Sequence, residues 1–311
     1  MSGVTPQAIK ELRERTQAGM SDCKNALVEA EGDMEKAVEI ILKKGLAKSA
    51  KRASAVASEG EVRAIVSADK LAASIVEVNI QTDFAARGDI FQGFVADVMK
   101  VADAAPDGAN LGAQPLAGKT VTEVAAELTG KTGEKIDVRR WDRVRVPAGK
   151  KGFATSYVHL GGKIGVALAI ETESEAAAAH AEVVKFAEDT AMQIAAMAPL
   201  VLKRDEVAAD LVEKQKEIFT AQLRDDPKPK PEASWPKIVE GKVNKWYSEI
   251  ALLEQESVVV PGQTIEQLRE AASKAAGAPI HIARFVRFER GEGLTKKEDN
   301  FADEVAKMAA G

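Results

Sequence analysis

Two short stretches of the chain resemble each other and constrain its fold more than any other feature. IDVRRWDRV begins at Ile136 and IHIARFVRF begins at Ile280, and each follows a glycine, Gly133 or Gly277, at the same spacing. The aligned pairs are Ile136 with Ile280, Val138 with Ile282, Arg140 with Arg284, Trp141 with Phe285, and Arg143 with Arg287. Because both stretches are strand-like, they predict that a similar strand recurs in each half of the chain.

A hairpin pattern also occurs once in each half. In the first half, residues 61–66 and 74–80 have the composition of two strands around a short turn. In the second half, two strand patterns flank Gly161-Gly162, and Ile164, Val166, Leu168 and Ile170 alternate as in a half-buried strand. Helical patterns follow at 83–103, 120–129 and 174–197. The sequence therefore predicts an α+β fold with a duplicated core of two small, mostly antiparallel sheets and helices on one face.

The N-terminal residues predict a separate bundle of three short helices. Thr5 and Pro6 are typical of a helix start, and Ser21 is a predicted cap for the second helix. Gly32-Asp33 is expected to end that helix and cap the third. Residues 46–58 are basic, rich in Ala and Ser, and lack an apolar stripe, which predicts a solvated linker.

A helical hairpin is predicted as an insertion at 205–254. Four prolines lie between residues 225 and 236 and exclude a helix at the tip. The second arm carries apolar residues at the spacing of a heptad repeat, namely Val239, Val243, Trp246, Ile250 and Leu253. The first arm offers Val207, Leu211 and Ile218. We expect an antiparallel coiled coil that contacts a partner or itself.

These patterns divide the chain into five segments. They are the bundle at 1–45, the linker at 46–58, a first core half at 59–146, a second core half at 147–290 with the inserted hairpin, and a C-terminal module at 291–311. The module is predicted to contain a helix with Phe301, Val305 and Met308, which a hinge at Gly291-Glu292-Gly293 separates from the preceding strand.

Composition argues against several classes of protein. With 43 Lys and Arg against 48 Asp and Glu, the net charge of −5 disfavours a general nucleic-acid binder. Cys23 is the only cysteine, and the three histidines are far apart, so we expect no disulfide, no metal site and no cofactor. No run approaches 18 apolar residues, and the N-terminus lacks the apolar core of a signal peptide. We expect a complete, cytoplasmic chain without membrane contact.

Two further motifs suggest ligands at first sight. Gly130-Lys131-Thr132 ends a loose nucleotide-binding pattern, but a helix precedes it where a phosphate loop requires a strand. We therefore interpret Gly130 as a helix C-cap, and a nucleotide-hydrolysing enzyme stays an alternative. The run at 139–145 contains four arginines. Alternation along a strand favours a solvated sheet face or edge over a nucleic-acid site.

The stretch NIQTDFAA marks a junction between a strand and a helix. Thr82 is a good N-cap, and Asp83 in the first turn suits the helix dipole. Phe84 lies seven residues before Phe91, so both would share one face of a continuous helix with Phe94. Periodicity alone therefore places Phe84 in the core.

Two long motifs resemble the bacterial elongation factor Ts family. They are ELRERTQAGMSDCKNALVEAEGDMEKAVEI near the N-terminus and EVNIQTDFAA at the junction described above. The order of segments also agrees along essentially the whole chain. The resemblance implies a bundle similar to ubiquitin-associated domains, two related core halves, a coiled-coil hairpin and a C-terminal helical module. It also implies a guanine-nucleotide exchange factor that carries out no covalent chemistry.

The resemblance further implies a partner and its contact residues. The partner is elongation factor Tu, a translational GTPase, whose bound GDP is released so that GTP can rebind. In the family, the Thr-Asp-Phe motif, here Thr82, Asp83 and Phe84, approaches the nucleotide and magnesium site of the partner. This moves Phe84 from the core to an exposed position. Other implied contacts are Arg13 and Met20 in the bundle and His159 in the second-half hairpin, where the chain is one residue longer than the family pattern.

A scaffold or adaptor without catalytic activity is the main alternative. It would act through the bundle at 5–44 and the hairpin at 205–254, and it predicts no effect on nucleotide release from another GTPase.

Overall fold

The computed structural model describes residues 4–16, 18–52, 55–226, 228 and 230–294. Over these residues the chain forms eleven α-helices and eight strands. In chain order they are α1 (Pro6–Thr16), α2 (Met20–Glu29), α3 (Met34–Arg52), β1 (Glu59–Val66), β2 (Ala72–Ile80), α4 (Asp83–Ala86), α5 (Asp89–Ala104), β3 (Pro115–Leu116), β4 (Lys119–Thr120), α6 (Val121–Thr132), β5 (Asp137–Arg145), β6 (Lys151–His159), β7 (Ile164–Thr172), α7 (Glu175–Ala178), α8 (Ala181–Met197), α9 (Ala209–Arg224), α10 (Trp235–Ile250), α11 (Ile265–Ala276) and β8 (Ile280–Glu289).

The chain divides into two compact units. The first comprises the described parts of Met1–Arg63, Val76–Trp141 and Glu289–Gly311, and the second comprises those of Ala64–Ile75 and Asp142–Phe288. None of the helices in the described ranges has the length and apolar character needed to cross a membrane.

Helices α1 to α3 form the predicted three-helix bundle. Thr5 Oγ1 accepts a hydrogen bond from the Ala8 N–H at 3.1 Å, and Asp33 Oδ1 accepts one from the Lys36 N–H at 3.1 Å, so both predicted caps are confirmed. The predicted Ser21 cap is wrong, because α2 begins at Met20 after extended Gly19. The buried core residues are Leu12, Cys23, Ala26, Leu27, Ala30, Ala37 and Ile41. Similarity to ubiquitin-associated domains stays a prediction.

Helix α3 is longer than the sequence predicts and packs against α6. It continues to Arg52, so the first part of the predicted linker is helical. Gly130 lies inside α6, where an added Cβ would come within 2.6 Å of the Gly45 Cα. The prediction that Gly130 is a C-cap is wrong, because α6 ends at Thr132 and left-handed Gly133 caps it. The glycine at 130 instead allows two helix backbones to meet.

The first core half is built on a sheet of strand order β1-β2-β5. All nine residues of β2 are buried, so it is the central strand and is covered on both faces. Helix α5 contributes buried Phe91 and Phe94 to the core. Trp141 of β5 packs on the same core and donates its Nε1–H to the Ala109 carbonyl at 2.8 Å.

The second core half has a sheet of strand order β6-β7-β8. Strands β6 and β7 are antiparallel, from Lys151 opposite Thr172 to His159 opposite Ile164, which confirms the predicted hairpin. Helix α8 covers this sheet and buries Phe186 in the core. The aligned Phe285 of β8 packs on that core, as Trp141 does in the first half.

Local details confirm that the two halves repeat one plan. A Cβ on Gly60 would lie 2.1 Å from the Val78 carbonyl oxygen, and one on Gly152 would lie 2.0 Å from the Ile170 oxygen. The helix before the last strand of each half begins with a capping box, Thr120 with Glu123 or Thr264 with Gln267, and ends at a left-handed glycine, Gly133 or Gly277. The same backbone constraints therefore recur at matching places.

Helices α9 and α10 form the predicted helical hairpin. The Arg204 guanidinium lies over the Tyr247 ring at 4.9 Å from its centroid, and Lys242 Nζ lies over the Phe219 ring at 5.4 Å. Arg204 precedes α9 and contacts Tyr247 near the end of α10, whereas Phe219 lies in the second half of α9 and contacts Lys242 in the first half of α10. The two arms are therefore antiparallel.

The buried side of the hairpin agrees with the prediction in one arm only. Val243 of the second arm is buried as predicted. The predicted first-arm seam is wrong, because Leu211 and Ile218 are 40% and 49% exposed while Leu223 is buried. Coiled-coil packing of the two arms stays a prediction.

Glu77 is a carboxylate in the middle of β2 with no exposed side-chain surface. Arg139 Nη1 and Arg140 Nε donate to its oxygens at 3.0 Å and 2.6 Å. Arg143 is also buried and donates to Ser74 Oγ at 2.8 Å. The prediction of a solvated arginine face is therefore wrong for these three side chains, because each donates a hydrogen bond to a buried side chain of β2.

Residues 289–294 are anchored to the first core half. The Gly291 N–H donates to Glu77 Oε1 at 2.8 Å, and Arg290 Nη2 lies 2.8 Å from Glu59 Oε2. Gly291 has a φ of 72°, and a Cβ there would lie 2.4 Å from the Ser58 carbonyl oxygen. Arg290 and Gly291 are therefore held against the first core half, and a hinge that separates the C-terminal module stays a prediction. The predicted helix with Phe301, Val305 and Met308 lies outside the described residues.

Candidate functional site

The Thr82–Ala86 turn follows the central strand β2 and consists of the cap Thr82 and the short helix α4. Thr82 is extended, with φ −119° and ψ 150°, and its side chain accepts a hydrogen bond from the Ala85 N–H at 3.2 Å. The predicted N-cap is therefore confirmed. The cap ends the strand and turns the backbone, so that the following residue projects from the start of a new helix.

Phe84 is 86% exposed, far more than the other aromatic residues of this region. Phe91 and Phe94 are only 1% and 4% exposed. The placement of Phe84 in the core by periodicity is wrong, because α4 ends at Ala86 and α5 starts separately after Gly88. The break rotates Phe84 away from the face that its spacing predicts.

Glu134 fixes the first end of this turn. Its Oε2 accepts a hydrogen bond from the Thr82 N–H at 3.0 Å, and its Oε1 accepts one from Thr82 Oγ1 at 2.8 Å. The Gln81 side chain extends the contact, because its Oε1 accepts from the Lys135 N–H at 2.8 Å. The strand end is therefore joined to the residues that follow α6.

Gln92 fixes the second end. Its Nε2 donates to the Ala86 carbonyl at 2.8 Å and to Glu61 Oε2 at 2.7 Å. Its Oε1 accepts from Arg63 Nη2 at 3.0 Å, and Arg63 pairs with Glu61 at 2.8 Å. Neither Glu134 nor Gln92 is predicted from the sequence. Glu134 lies 52 residues beyond Thr82 along the chain, and the pattern of α5 does not indicate that Gln92 bonds back to the Ala86 carbonyl six residues earlier.

Asp83 is exposed and has a local partner. Its Oδ2 lies 2.9 Å from Arg87 Nη2, one helical turn later, and both side chains are mostly exposed. Exposed ion pairs of this kind contribute at most about 1 kcal/mol, so the carboxylate can exchange partners at little cost.

The other predicted contact residues lie elsewhere. Arg13 of α1 and Met20 of α2 are exposed on the bundle, Met20 by 58%. They belong to the same unit as Phe84, whereas His159 belongs to the second unit. His159 ends β6, and its Nδ1 lies 2.8 Å from the Tyr157 hydroxyl. Its role, like those of Arg13 and Met20, stays a prediction.

The geometry disfavours the alternative nucleotide site. Gly130, Lys131 and Thr132 form the last turn of α6. N–H groups at the end of a helix bond to carbonyl groups of the preceding turn and are not free for a phosphate. A phosphate loop instead presents free N–H groups at the start of a helix. Within the described residues, no group of three or more His, Cys, Asp or Glu side chains is arranged to hold a metal ion.

A protein-family model described as elongation factor TS matches residues 81–292. The match begins one residue before Thr82 and covers well over half of the chain. The chain belongs to the elongation factor Ts family. The resemblance inferred from the sequence is thus confirmed, and members of the elongation factor Ts family are translation elongation factors that act in protein biosynthesis.

Similar proteins support this membership over nearly the whole chain. A protein of Clostridium perfringens (strain SM101 / Type A) named elongation factor Ts is 48% identical over 310 residues, which cover 98% of this chain and 99% of that protein. Proteins with the same name from Clostridium kluyveri (strain ATCC 8527) and Clostridioides difficile (strain 630) are 45% and 44% identical, and each match covers 99% of both chains.

Proposed function

We propose that this chain accelerates the release of GDP from elongation factor Tu. The Asp83-Phe84 pair would enter the GTPase near its nucleotide and magnesium site, and GTP would then rebind and displace the factor. The observation that carries the proposal is the 86% exposure of Phe84 on a turn whose two ends are fixed by hydrogen bonds. An exposed aromatic ring held on a fixed turn is available to a partner, and aromatic side chains are enriched in the buried centre of protein interfaces.

The proposed mechanism requires no bond to be made or broken by this chain. If the chain lowers the affinity of the partner for GDP, GDP must lower the affinity of the partner for the chain by the same factor. Phe84 would act as a wedge between elements of the partner that hold phosphate and magnesium. Asp83 would add negative charge beside a site that already binds anions, which weakens their binding further.

Additional contacts would give the complex its orientation. Arg13 and Met20 would contact the nucleotide-binding domain of elongation factor Tu, and His159 would contact a different domain of that partner. Methionine and arginine are enriched in the buried centre of protein interfaces, which supports the choice of Met20 and Arg13.

The test is release of a fluorescent GDP analogue from purified elongation factor Tu, with and without catalytic amounts of this chain. We expect acceleration by the wild type and much less by Phe84→Ala at any concentration. Leu200→Ala is a matched control, since Leu200 is also an exposed apolar residue, at 65%, and has no assigned contact. It should act like the wild type.

Two results would contradict the proposal. If the folded wild type left GDP release unchanged, the exchange function would be wrong and a scaffold role would replace it. If Phe84→Ala matched Leu200→Ala, the exchange function would stand but the wedge would have to be another residue.

A further inference from the structure

The two core halves offer an internal comparison for the turn that carries Phe84. The second half has the same turn after its central strand: Ser174 is the N-cap of α7 and accepts a hydrogen bond from the Ala177 N–H at 3.3 Å. Thr82 and Ser174 are thus equivalent, and so are the helices α4 and α7. The residue at the position of Phe84 in the second half is Ala176.

Glu134 and Gln92, which bond to the Thr82–Ala86 turn, have no counterparts at the matching positions of the second half. Counting from the left-handed glycines Gly133 and Gly277, the equivalent of Glu134 is Ala278. Counting from the two caps, the equivalent of Gln92 is Val184. Both halves therefore build this turn on a hydroxyl cap, but the contacts of Glu134 and Gln92 have no equivalent at the matching positions of the second half. The second-half turn has a different and exposed contact, from Lys151 Nζ to Glu175 Oε1 at 2.6 Å.

Glu134 is itself held in place, as a positioning group must be. It follows Gly133, whose left-handed conformation ends α6, and its N–H donates to Thr132 Oγ1 at 3.2 Å. Gln92 uses its amide oxygen and nitrogen on Arg63, Glu61 and the Ala86 carbonyl. Both side chains therefore approach the turn from separate parts of the first unit.

We propose that Glu134 and Gln92 are positioning residues that keep the Thr82–Ala86 turn in one conformation so that Phe84 is presented to the partner before binding. This inference rests on the proposed exchange function. Neither residue touches the partner. Their contribution is to raise the fraction of free molecules that is competent to bind.

Such a role has a distinct kinetic signature. When only a fraction of a protein is in the competent conformation, the apparent affinity falls by that fraction, while the bound complex is unchanged. Loss of a clamp should therefore raise the concentration of this chain that gives half-maximal GDP release and leave the maximal rate nearly unaltered. Loss of the Phe84 ring should lower the maximal rate.

The experiment compares Glu134→Ala with Glu123→Ala in the full chain. Glu123 is a matched control at the other end of α6, because its Oε2 accepts from the Thr120 N–H at 2.7 Å and from Thr120 Oγ1 at 3.0 Å. Both variants lose a carboxylate that binds one threonine twice. Only Glu134→Ala loosens the turn with Phe84.

We expect Glu134→Ala to raise the half-saturating concentration about tenfold, as the loss of charge-assisted hydrogen bonds to one residue predicts. Glu123→Ala should stay close to the wild type in both kinetic quantities. Gln92→Ala, which leaves the Arg63–Glu61 pair in place, should act like Glu134→Ala with a smaller change. Thr82→Ser keeps the N–H and the hydroxyl and should preserve wild-type kinetics.

Hydrogen exchange of the backbone amides at 82–86 provides a readout without any partner. It should be faster in Glu134→Ala than in Glu123→Ala. Equal kinetics and equal hydrogen exchange in these two variants would overturn the positioning role. If the wild type failed to accelerate GDP release, the proposed function would fall, and hydrogen exchange alone would decide whether Glu134 clamps the turn.

Discussion

Gly45 of α3 and Gly130 of α6 meet backbone to backbone, but the contact is not symmetrical. A Cβ on Gly130 would lie 2.6 Å from the Gly45 Cα and 2.8 Å from its carbonyl oxygen. A Cβ on Gly45 would lie 3.7 Å from the Gly130 Cα, an ordinary contact distance. The helix crossing therefore has room for a side chain on one helix only.

Gly130→Ala should consequently destabilise the first unit by about 1–3 kcal/mol, since backbone atoms must shift to admit the methyl group. Gly45→Ala should be close to neutral or stabilising. Gly93→Ala in α5, with no atom within 4 Å of the added Cβ, should stabilise by about 0.5–1 kcal/mol. Urea unfolding of the three variants checks the order. A Gly130→Ala variant as stable as Gly93→Ala would contradict the close crossing.

The buried Glu77 carboxylate predicts a loss of stability in acid. Burial by itself raises the pKa of Glu77, but hydrogen bonds from Gly291, Arg139 and Arg140 outweigh it and hold that pKa below the ordinary value of 4.5. A carboxyl whose pKa is lowered by folding stabilises the protein above its unfolded pKa, and this contribution is lost as the pH falls through the folded pKa. Unfolding free energy should therefore decline below about pH 4.5.

Glu77→Gln tests the assignment of that decline. The substitution keeps the shape but leaves two arginines without their buried anion, which should cost about 3–5 kcal/mol at neutral pH. The remaining stability should depend less on pH below 4.5 than that of the wild type. An unchanged acid profile would assign the decline to other carboxylates.

Truncation of Phe94 is expected to lower stability far more than truncation of Phe84. Phe94→Ala removes a ring that is 4% exposed and should destabilise by about 3–5 kcal/mol. Phe84→Ala removes one that is 86% exposed and should change the unfolding free energy by less than about 0.5 kcal/mol. Thermal unfolding of both variants, measured in parallel, checks this. A large loss of stability in Phe84→Ala would return that ring to the core.

Gly152 is expected to tolerate no side chain. Its φ of 147° and the 2.0 Å approach of a Cβ to the Ile170 carbonyl oxygen make Gly152→Ala strained in two ways. Gly149→Ala is the control, with a φ of 79° and open space around the Cβ, and should cost only about 1–2 kcal/mol. Gly152→Ala should cost clearly more in chemical denaturation. Equal costs for the two variants would show that strand β6 moves to accommodate the methyl group.

The sequence predicted the elements of the core well, because caps, alternation and glycines act locally. The hairpin around Gly161-Gly162 and the matched strands that begin near Ile136 and Ile280 are confirmed. Thr82 was recognised as a cap for the same reason, since its bond to the Ala85 N–H spans only three residues.

Features set by distant parts of the chain were not predictable. The sequence predicts a cap at Gly130 because it does not show that Gly45, 85 residues earlier, packs against the Gly130 backbone. Arg139 and Arg140 looked solvated because their anion, Glu77, lies on another strand. Periodicity fails for Phe84 for a local reason, since a break of two residues between α4 and α5 changes the direction of the side chain without any change in sequence spacing.

The bond from Gly291 to Glu77 also has a consequence for how the nascent chain folds. The strand with Glu77 and the two arginines leave the ribosome long before residue 291 does, and domains generally fold in that order during synthesis. Until Gly291 emerges, the Glu77 carboxylate lacks the hydrogen bond from the Gly291 N–H. Most of the first unit is therefore synthesised early, but the hydrogen bonding of its buried Glu77 is complete only after Gly291 has been synthesised.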